Sequence, residues 1–178
     1  MTDLRIAVLG VGMMGADHVA RITDRIKGAT VTVLNDYLPE KAEELAATIP
    51  GCRVINDPLD AIADADVDAV ILATPGPTHE KQLLACLEAG KPVMCEKPLG
   101  RSAAESRKMV DAVEKAGVAN MVWYNYRRVP AVTLAKQLID EGRLGKIFHY
   151  RAKFLQDWTI SKDLPQGGQG LWRLDFGV

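Results

Sequence analysis

The sequence has few cysteines, no cluster of histidines, no long apolar run and no excess of charge of either sign. Its three cysteines, Cys52, Cys86 and Cys95, are odd in number and widely spaced, and no C-x-x-C occurs. With only three histidines, also scattered, neither a disulfide framework nor a metal site is indicated. The apolar stretches are far shorter than the ~20 residues of a bilayer-crossing helix. No apolar segment with a small-residue cleavage site follows Met1, so the chain reads as cytoplasmic, without a membrane partner. Formal charge is −1, from 22 basic and 23 acidic residues, and no segment is strongly basic. A nucleic-acid partner is therefore not expected. Neither internal repeats nor low-complexity segments are seen.

What is present suits a globular protein. Hydrophobic residues make up 48% and charged residues 25% of the 178 positions. At about 150 residues per domain the chain is one domain and a remainder. A chain of this size buries roughly 70% of its unfolded surface and needs no covalent staple.

Leu4–Leu9 is a continuous apolar-leaning run, suited to a strand buried on both faces. A glycine loop and a helix to about Lys27 follow. Further strands are predicted over Ala29–Leu34, Cys52–Ile55, Asp68–Leu72, Pro92–Cys95 and Val118–Trp123. Helices are predicted over Glu40–Thr48 with Pro39 at its start, and from near Pro77 to Gly90. Another runs from the capping box Ser102-Ala-Ala-Glu105 to Gly117. Strands alternating with helices imply crossover connections and an α/β, doubly wound parallel sheet. After Trp123 the pattern changes to a helix over Pro130–Glu141 and an alternating, strand-like stretch Ile147–Leu155, with no periodicity from Gln156 onward. The expected organisation is a first domain over 1–122 and the start of a second over 123–178.

Four constellations carry chemistry. Gly10, Gly12 and Gly15, with Met13 and Met14 between them, follow a strand and open a helix, and Asp36 ends the next strand 21 positions after Gly15. That context is what turns a G-x-G-x-x-G pattern into a dinucleotide fingerprint. The glycines allow a tight turn, close approach of a pyrophosphate and close helix packing, while the helix N-terminus offers free N–H groups. Asp36 suits ribose hydroxyls and repels a 2′-phosphate, and no Arg follows it directly, so NAD is favoured over NADP. Second, Thr74-Pro75-Gly76-Pro77-Thr78-His79 lies at the end of the fourth strand, where such sheets bind ligands. The loop reads as a cofactor wall, with His79 itself merely solvated; His18 and His149 read as structural.

Third, Glu96-Lys97-Pro98 follows the fifth strand. A lysine partly desolvated beside a nicotinamide ring can accept the proton that leaves an alcohol as hydride departs. Pro98 forces Lys97 out of helical geometry and permits a cis bond. A surface ion pair ahead of a helix is the bland alternative. Fourth, Trp123-Tyr-Asn-Tyr126-Arg127-Arg128 suits either a polyhydroxylated ligand or interdomain packing, and Gln156-Asp157-Trp158 and Trp172-Arg173 could line the same cleft or cover the sheet. Cys86 and Cys95 read as buried small hydrophobes. The first four groups converge on one edge of the sheet, which favours the functional reading of Lys97.

GVGMMG after the first strand, PGPTHE, CEKPL, and YNYRRVPA before a helix ending EGRLGKI resemble the Gfo/Idh/MocA oxidoreductases over essentially the whole chain. Residues up to about Leu99 are most similar to the inositol dehydrogenases of that family, and Trp123 to Asp175 to its sugar dehydrogenases. The resemblance implies a Rossmann domain followed by an α+β substrate domain on a large open sheet, and NAD(P)-dependent oxidation of a hydroxyl on a cyclitol or sugar. It matches Lys97 to the catalytic lysine, and Gly10, Gly12, Gly15 and Asp36 to cofactor residues. Met13, Met14, Thr74, Pro75, His79 and Glu96 join the expected cofactor set; Tyr126, Arg127, Trp172 and Arg173 are candidate substrate residues. The family's sequence continues into a G-D-x-x-x-H segment that supplies an Asp and the acid–base His, and this chain stops short of it. The expectation is a fragment or truncated product that binds NAD weakly or moderately and turns over little, its longer form being a homo-oligomer. A non-catalytic NAD-binding redox sensor is the rival reading: the intact EKP counts against it and the missing segment for it. A reductase of another substrate class on the same frame is a third.

Overall fold

A computed structural model describes residues 3–155. The chain divides into two compact units, one ending at Trp123 and one starting at Tyr124.

The first unit is a six-stranded parallel sheet in the order β3-β2-β1-β4-β5-β6. The strands are β1 (Leu4–Leu9), β2 (Ala29–Asn35), β3 (Arg53–Val54), β4 (Ala69–Leu72), β5 (Val93–Cys95) and β6 (Asn120–Val122). The helices between them are α1 (Met13–Arg25), α2 (Pro39–Ala46), α3 (Pro58–Ala63), α4 (His79–Glu88) and α5 (Ala103–Ala116). This is the Rossmann arrangement, whose strand order reverses between β1 and β4 and opens a crevice there.

The core has two layers set by the period of two along each strand. Ala7 and Leu9 of β1, with Val70 and Leu72 of β4, face Ile62, Leu83 and Met109 on one side. Ile6 and Val8, with Ile71, face Val19 and Ile22 of α1 on the other. Val31 and Leu34 of β2 both point to this second side. They can do so because the β1–β2 register shifts between Ile6 and Ala7, leaving Thr32 as the extra residue. Cys86 and Cys95 lie in the first layer, and burial pushes both thiols up to about 12. They behave as the small hydrophobes expected of them.

Several boundaries differ from expectation. The third strand is only Arg53–Val54, at the sheet edge. The short helix α3 lies between the third and fourth strands, where no element is predicted: Asp57 caps it by accepting from the Leu59 and Asp60 amides at 2.7 and 3.2 Å, with Pro58 in its first turn. The helix expected near Pro77 begins with a 3₁₀ turn at Gly76–Thr78 and becomes α-helical at His79. The Ser102 cap forms as predicted, with its oxygen accepting from the Glu105 amide at 3.1 Å. Gly117 closes α5 in the left-handed region, at φ +67°.

At the opposite edge of the sheet from the strand C-termini, Arg5 forks onto Asp68 (2.7 and 3.0 Å) and Arg53 onto Asp64 (2.7 and 2.5 Å). These hydrogen bonds hold both carboxyls at about 2. A depressed folded-state pKa adds stability that is complete above the ordinary carboxylate value and is lost as pH falls through the folded one. Thermal midpoints are therefore expected to drop between pH ~4 and ~2, and Asp68→Asn to flatten part of that drop. An unchanged acid limb in that variant would remove the Arg5 pair from the account.

The second unit holds a 3₁₀ turn at Asn125–Arg128 and α6 (Pro130–Asp140). The strand expected over Ile147–Leu155 is absent: these residues carry no regular structure, and Phe148 and Leu155 are 85% and 87% exposed. Alternation supplies a strand's two faces but not a hydrogen-bonding partner, and the described residues offer none.

Candidate functional site

The site is built on the ends of β1, β2, β4 and β5. The three loop glycines meet three different constraints. Gly10 has φ +85°, and a Cβ on it would lie 2.7 Å from the Ala73 carbonyl group at the end of β4. A Cβ on Gly15 would lie 1.8 Å from the Gly10 carbonyl oxygen, so α1 starts in direct contact with the loop. A Cβ on Gly12 would meet nothing within 4 Å. Gly12 therefore fronts open space at the head of α1, where no side chain caps the helix and the first turn holds no acidic residue. Met13 and Met14 flank that opening and are exposed. Bare backbone, free N–H groups and the helix dipole there form a cradle for a phosphate, and the residues fit a dinucleotide's pyrophosphate.

Asp36 follows β2. One carboxylate oxygen accepts from the Val11 amide at 2.7 Å and the other from the Leu38 amide at 3.0 Å. The carboxylate thus fixes the glycine loop and retains lone pairs for an outside donor. Tyr37 beside it is 95% exposed.

Across the switch crevice, Thr74 begins the β4 loop. Its hydroxyl donates to Gln82 Oε1 at 2.7 Å and accepts from the Thr78 hydroxyl at 2.7 Å. Pro75 follows it in extended backbone and leads into the 3₁₀ turn. His79 is not solvated, contrary to expectation, but 1% exposed. Its Nε2 lies 2.8 Å from the Thr74 carbonyl oxygen, and its Nδ1 lies 3.1 and 3.2 Å from those of Pro98 and Leu99. Standing at the first residue of α4, it turns inward beneath its own loop and ties that loop to the segment after β5.

Glu96 is buried too, which overturns the surface ion-pair alternative. Its Oε1 pairs with His18 Nε2 at 2.9 Å, and its Oε2 accepts from the Lys97 amide at 3.2 Å. Burial works to raise the Glu96 carboxyl, but the hydrogen bonds from His18 and Lys97, with their charges, outweigh it and hold the pKa below the ordinary value. The His18 ring stacks on Trp123, with centroids 4.6 Å apart. Lys97 is exposed in the chain without ligand, and its Nζ has no hydrogen-bond or ion-pair partner among the described residues. The Lys97–Pro98 bond is cis.

His18 is buried on α1, as its structural reading expects, but sequence reasoning did not find its partner, and it missed Gln82 and the inward turn of His79. A single buried polar residue on an amphipathic helix gives no signal beyond its spacing, because its partner comes from a distant strand end. In the second unit, Tyr126 packs edge-on against Phe154 with centroids 5.3 Å apart, and Arg127 lies in the 3₁₀ turn; both are exposed. Trp172, Arg173 and Gln156-Asp157-Trp158 lie outside the described residues. Among the described residues no group of three or more His, Cys, Asp or Glu converges on a metal position, and no helix is long and apolar enough to cross a membrane.

Fold and loop together define a dinucleotide-binding protein of the α/β class. The family model described as an oxidoreductase family with an NAD-binding Rossmann fold, Gfo/Idh/MocA, matches residues 4–125, and the chain belongs to that family. It is 66% identical over 146 residues to an inositol 2-dehydrogenase of Rhodococcus jostii (strain RHA1), covering 82% of this chain and 40% of that protein. A levoglucosan dehydrogenase of Pseudarthrobacter phenanthrenivorans is 37% identical over 185 residues, covering 100% of this chain and 46% of the relative. Among solved structures, scyllo-inositol dehydrogenase from Lactobacillus casei with bound NAD(H) and scyllo-inositol superposes with a TM-score of 0.76. The two share 26% identity, over 82% of this chain and 43% of that one. The chain thus spans less than half the length of the curated relatives it matches.

Proposed function

We propose that this protein serves the NAD-dependent oxidation of a ring hydroxyl on a cyclitol or sugar. The observation that carries the reading is the open backbone cradle at Gly12, after β1, on the same sheet edge as the C-terminal end of β5 from which Lys97 follows, with β4 between the two. NAD⁺, when bound, accepts the hydride from the alcohol carbon. The chain's own residues do the rest. The head of α1, with Gly10, Gly12, Met13, Met14 and Gly15, receives the pyrophosphate, and Asp36 takes the adenosine ribose hydroxyls. Thr74, Pro75, His79 and Glu96 form or brace the walls, and Lys97 Nζ, as the free amine, accepts the hydroxyl proton. Tyr126, Arg127, Trp172 and Arg173 remain the proposed substrate contacts. The inositol dehydrogenases among the relatives support a cyclitol, and the levoglucosan dehydrogenase supports a sugar.

Titrating the chain with NAD⁺ and NADP⁺ by calorimetry tests the reading. Saturable binding with NAD⁺ preferred is expected, because a 2′-phosphate would meet the Asp36 carboxylate. Asp36→Ala removes both the ribose acceptor and the Val11 tether, and should weaken NAD⁺ binding roughly thirtyfold, as loss of charge-assisted hydrogen bonds does. It should also abolish the preference for NAD⁺. An unchanged preference would place the ribose away from Asp36. No binding of either dinucleotide by the folded chain would remove the proposed function.

A further inference from the structure

We infer that His18 and His79 are a pair of positioning residues that bracket Lys97 and fix its backbone relative to the two strand ends of the switch crevice. The role assigned to Lys97 rests on the function proposed above; the bracket is a property of the chain without ligand.

Lys97 lies in the middle of the three-residue segment Glu96-Lys97-Pro98, and each of its neighbours is held by a buried histidine from a different helix. On the N-terminal side, the Glu96 carboxylate spans 2.9 Å to His18 Nε2 and 3.2 Å to the Lys97 amide. A single carboxylate thus joins α1, the helix that begins at the glycine loop, to the lysine's own backbone. The stack on Trp123 fixes the plane of the His18 ring. On the C-terminal side, His79 Nδ1 reaches the Pro98 and Leu99 carbonyl oxygens while Nε2 reaches Thr74 at the end of β4. A carbonyl oxygen only accepts, so each of these contacts is a hydrogen bond where the ring nitrogen carries its hydrogen, and the tautomer sets which side that is.

Both rings are buried, at 7% and 1% exposure, whereas the lysine between them is exposed. Buried polar side chains are costly unless partnered, and here each partner is next to Lys97 or at a strand end that builds the cradle. A side chain as long and free as lysine is aimed chiefly by its backbone, and an anchor on its own amide with another on the Pro98 and Leu99 carbonyls that follow narrows where it can point.

Geometry supplies the test. Glutamine places an amide nitrogen where Nε2 sits, and asparagine where Nδ1 sits. His18→Gln therefore keeps the Glu96 bond and His18→Leu loses it. His79→Asn keeps the Pro98 and Leu99 side, and His79→Gln keeps only the Thr74 side. Amide hydrogen exchange is read by NMR on the 178-residue chain without ligand. The Lys97 amide should exchange about tenfold faster or more in His18→Leu and His79→Gln, as loss of a buried hydrogen bond permits. It should stay near the parental rate in His18→Gln and His79→Asn, while Val8 and Ile71 in the central strands keep parental rates in all four. Equal Lys97 rates across each pair would overturn the inference, as would acceleration of Lys97 and the central strands together, which marks a purely structural role. Should His18→Leu fail to fold, the two His79 variants decide. NAD⁺ binding by the parent chain is measured alongside: its absence with the exchange pattern intact removes the proposed function and leaves the bracket standing.

Discussion

Replacing Gly15 with alanine is expected to cost roughly 3 kcal/mol of stability, the upper range for a forced collision in a packed interior. The melting midpoint should fall by about 10 °C. The added Cβ would sit 1.8 Å from the Gly10 carbonyl oxygen and 2.8 Å from its carbon, so the collision is with backbone and not with a side chain that can swing aside. To relieve it, α1 must move off the loop or the loop off β4. Gly10 cannot yield easily, since its own Cα already faces the Ala73 carbonyl and Thr74 amide. Either movement displaces the N–H groups at the head of α1, so NAD⁺ affinity should fall at least ~100-fold, the scale of losing several charge-assisted hydrogen bonds together. Gly12→Ala is the control. Its Cβ meets nothing, its φ of −64° suits any residue, and the change should cost under about 1 kcal/mol, the scale of a cap substitution. It should nevertheless weaken NAD⁺ binding, because the new methyl occupies the space through which a pyrophosphate approaches. Calorimetry and thermal unfolding on the two variants separate the effects. Parental NAD⁺ affinity in Gly12→Ala would place the dinucleotide elsewhere.

These two glycines show what was legible in the sequence and what was not. The G-x-G-x-x-G spacing after a strand announces the loop. Which glycine bends, which packs and which stays open depends on β4, sixty residues away in sequence, and only the fold brings Ala73 against Gly10. The sheet itself was readable because the central strands are buried on both faces, so Ile6-Ala7-Val8-Leu9 and Val70-Ile71-Leu72 leave no room for a polar residue. Edge elements were read less well. Arg53–Val54 has one neighbouring strand and one apolar side chain, and α3 is six residues long. Ile147–Leu155 alternates well yet forms no strand among the described residues.

At the site, charged residues next to strand ends were found and buried polar partners were not. Asp36, Glu96 and Lys97 stand at positions where a chain leaves the sheet, a location sequence can mark. His18 and His79 gain their meaning from carbonyl and carboxylate oxygens on other elements, and in sequence each is one histidine on one helix. Burial of Glu96 could have been suspected from its place directly after β5, but not its partner.

Lys97→Ala is expected to lower kcat by about a thousandfold, within the range for loss of a general base, while leaving the Kd for NAD⁺ within about threefold. The assay is inositol-dependent NADH formation by a chimera joining the first unit, Met1–Trp123, to the remainder of the Rhodococcus relative. The asymmetry follows from where the lysine stands. Its side chain is exposed and unpartnered among the described residues, so truncation leaves no cavity and no orphaned charge, and stability should change by less than about 0.5 kcal/mol. Its amide keeps the hydrogen bond to Glu96, and the following Pro98 and Leu99 keep their carbonyl contacts with His79. The glycine loop and Asp36, on other strands, are untouched. What disappears is the exposed Lys97 nitrogen, the group proposed to take up a proton as hydride leaves the substrate carbon. Alcohol oxidation moves both, so without that acceptor the hydroxyl proton must go to water. Raising the pH should therefore recover part of the lost rate in Lys97→Ala, as hydroxide replaces the missing base. Parallel loss of kcat and NAD⁺ binding would instead make Lys97 part of the scaffold, and a kcat within tenfold of the parent would assign the proton to another group.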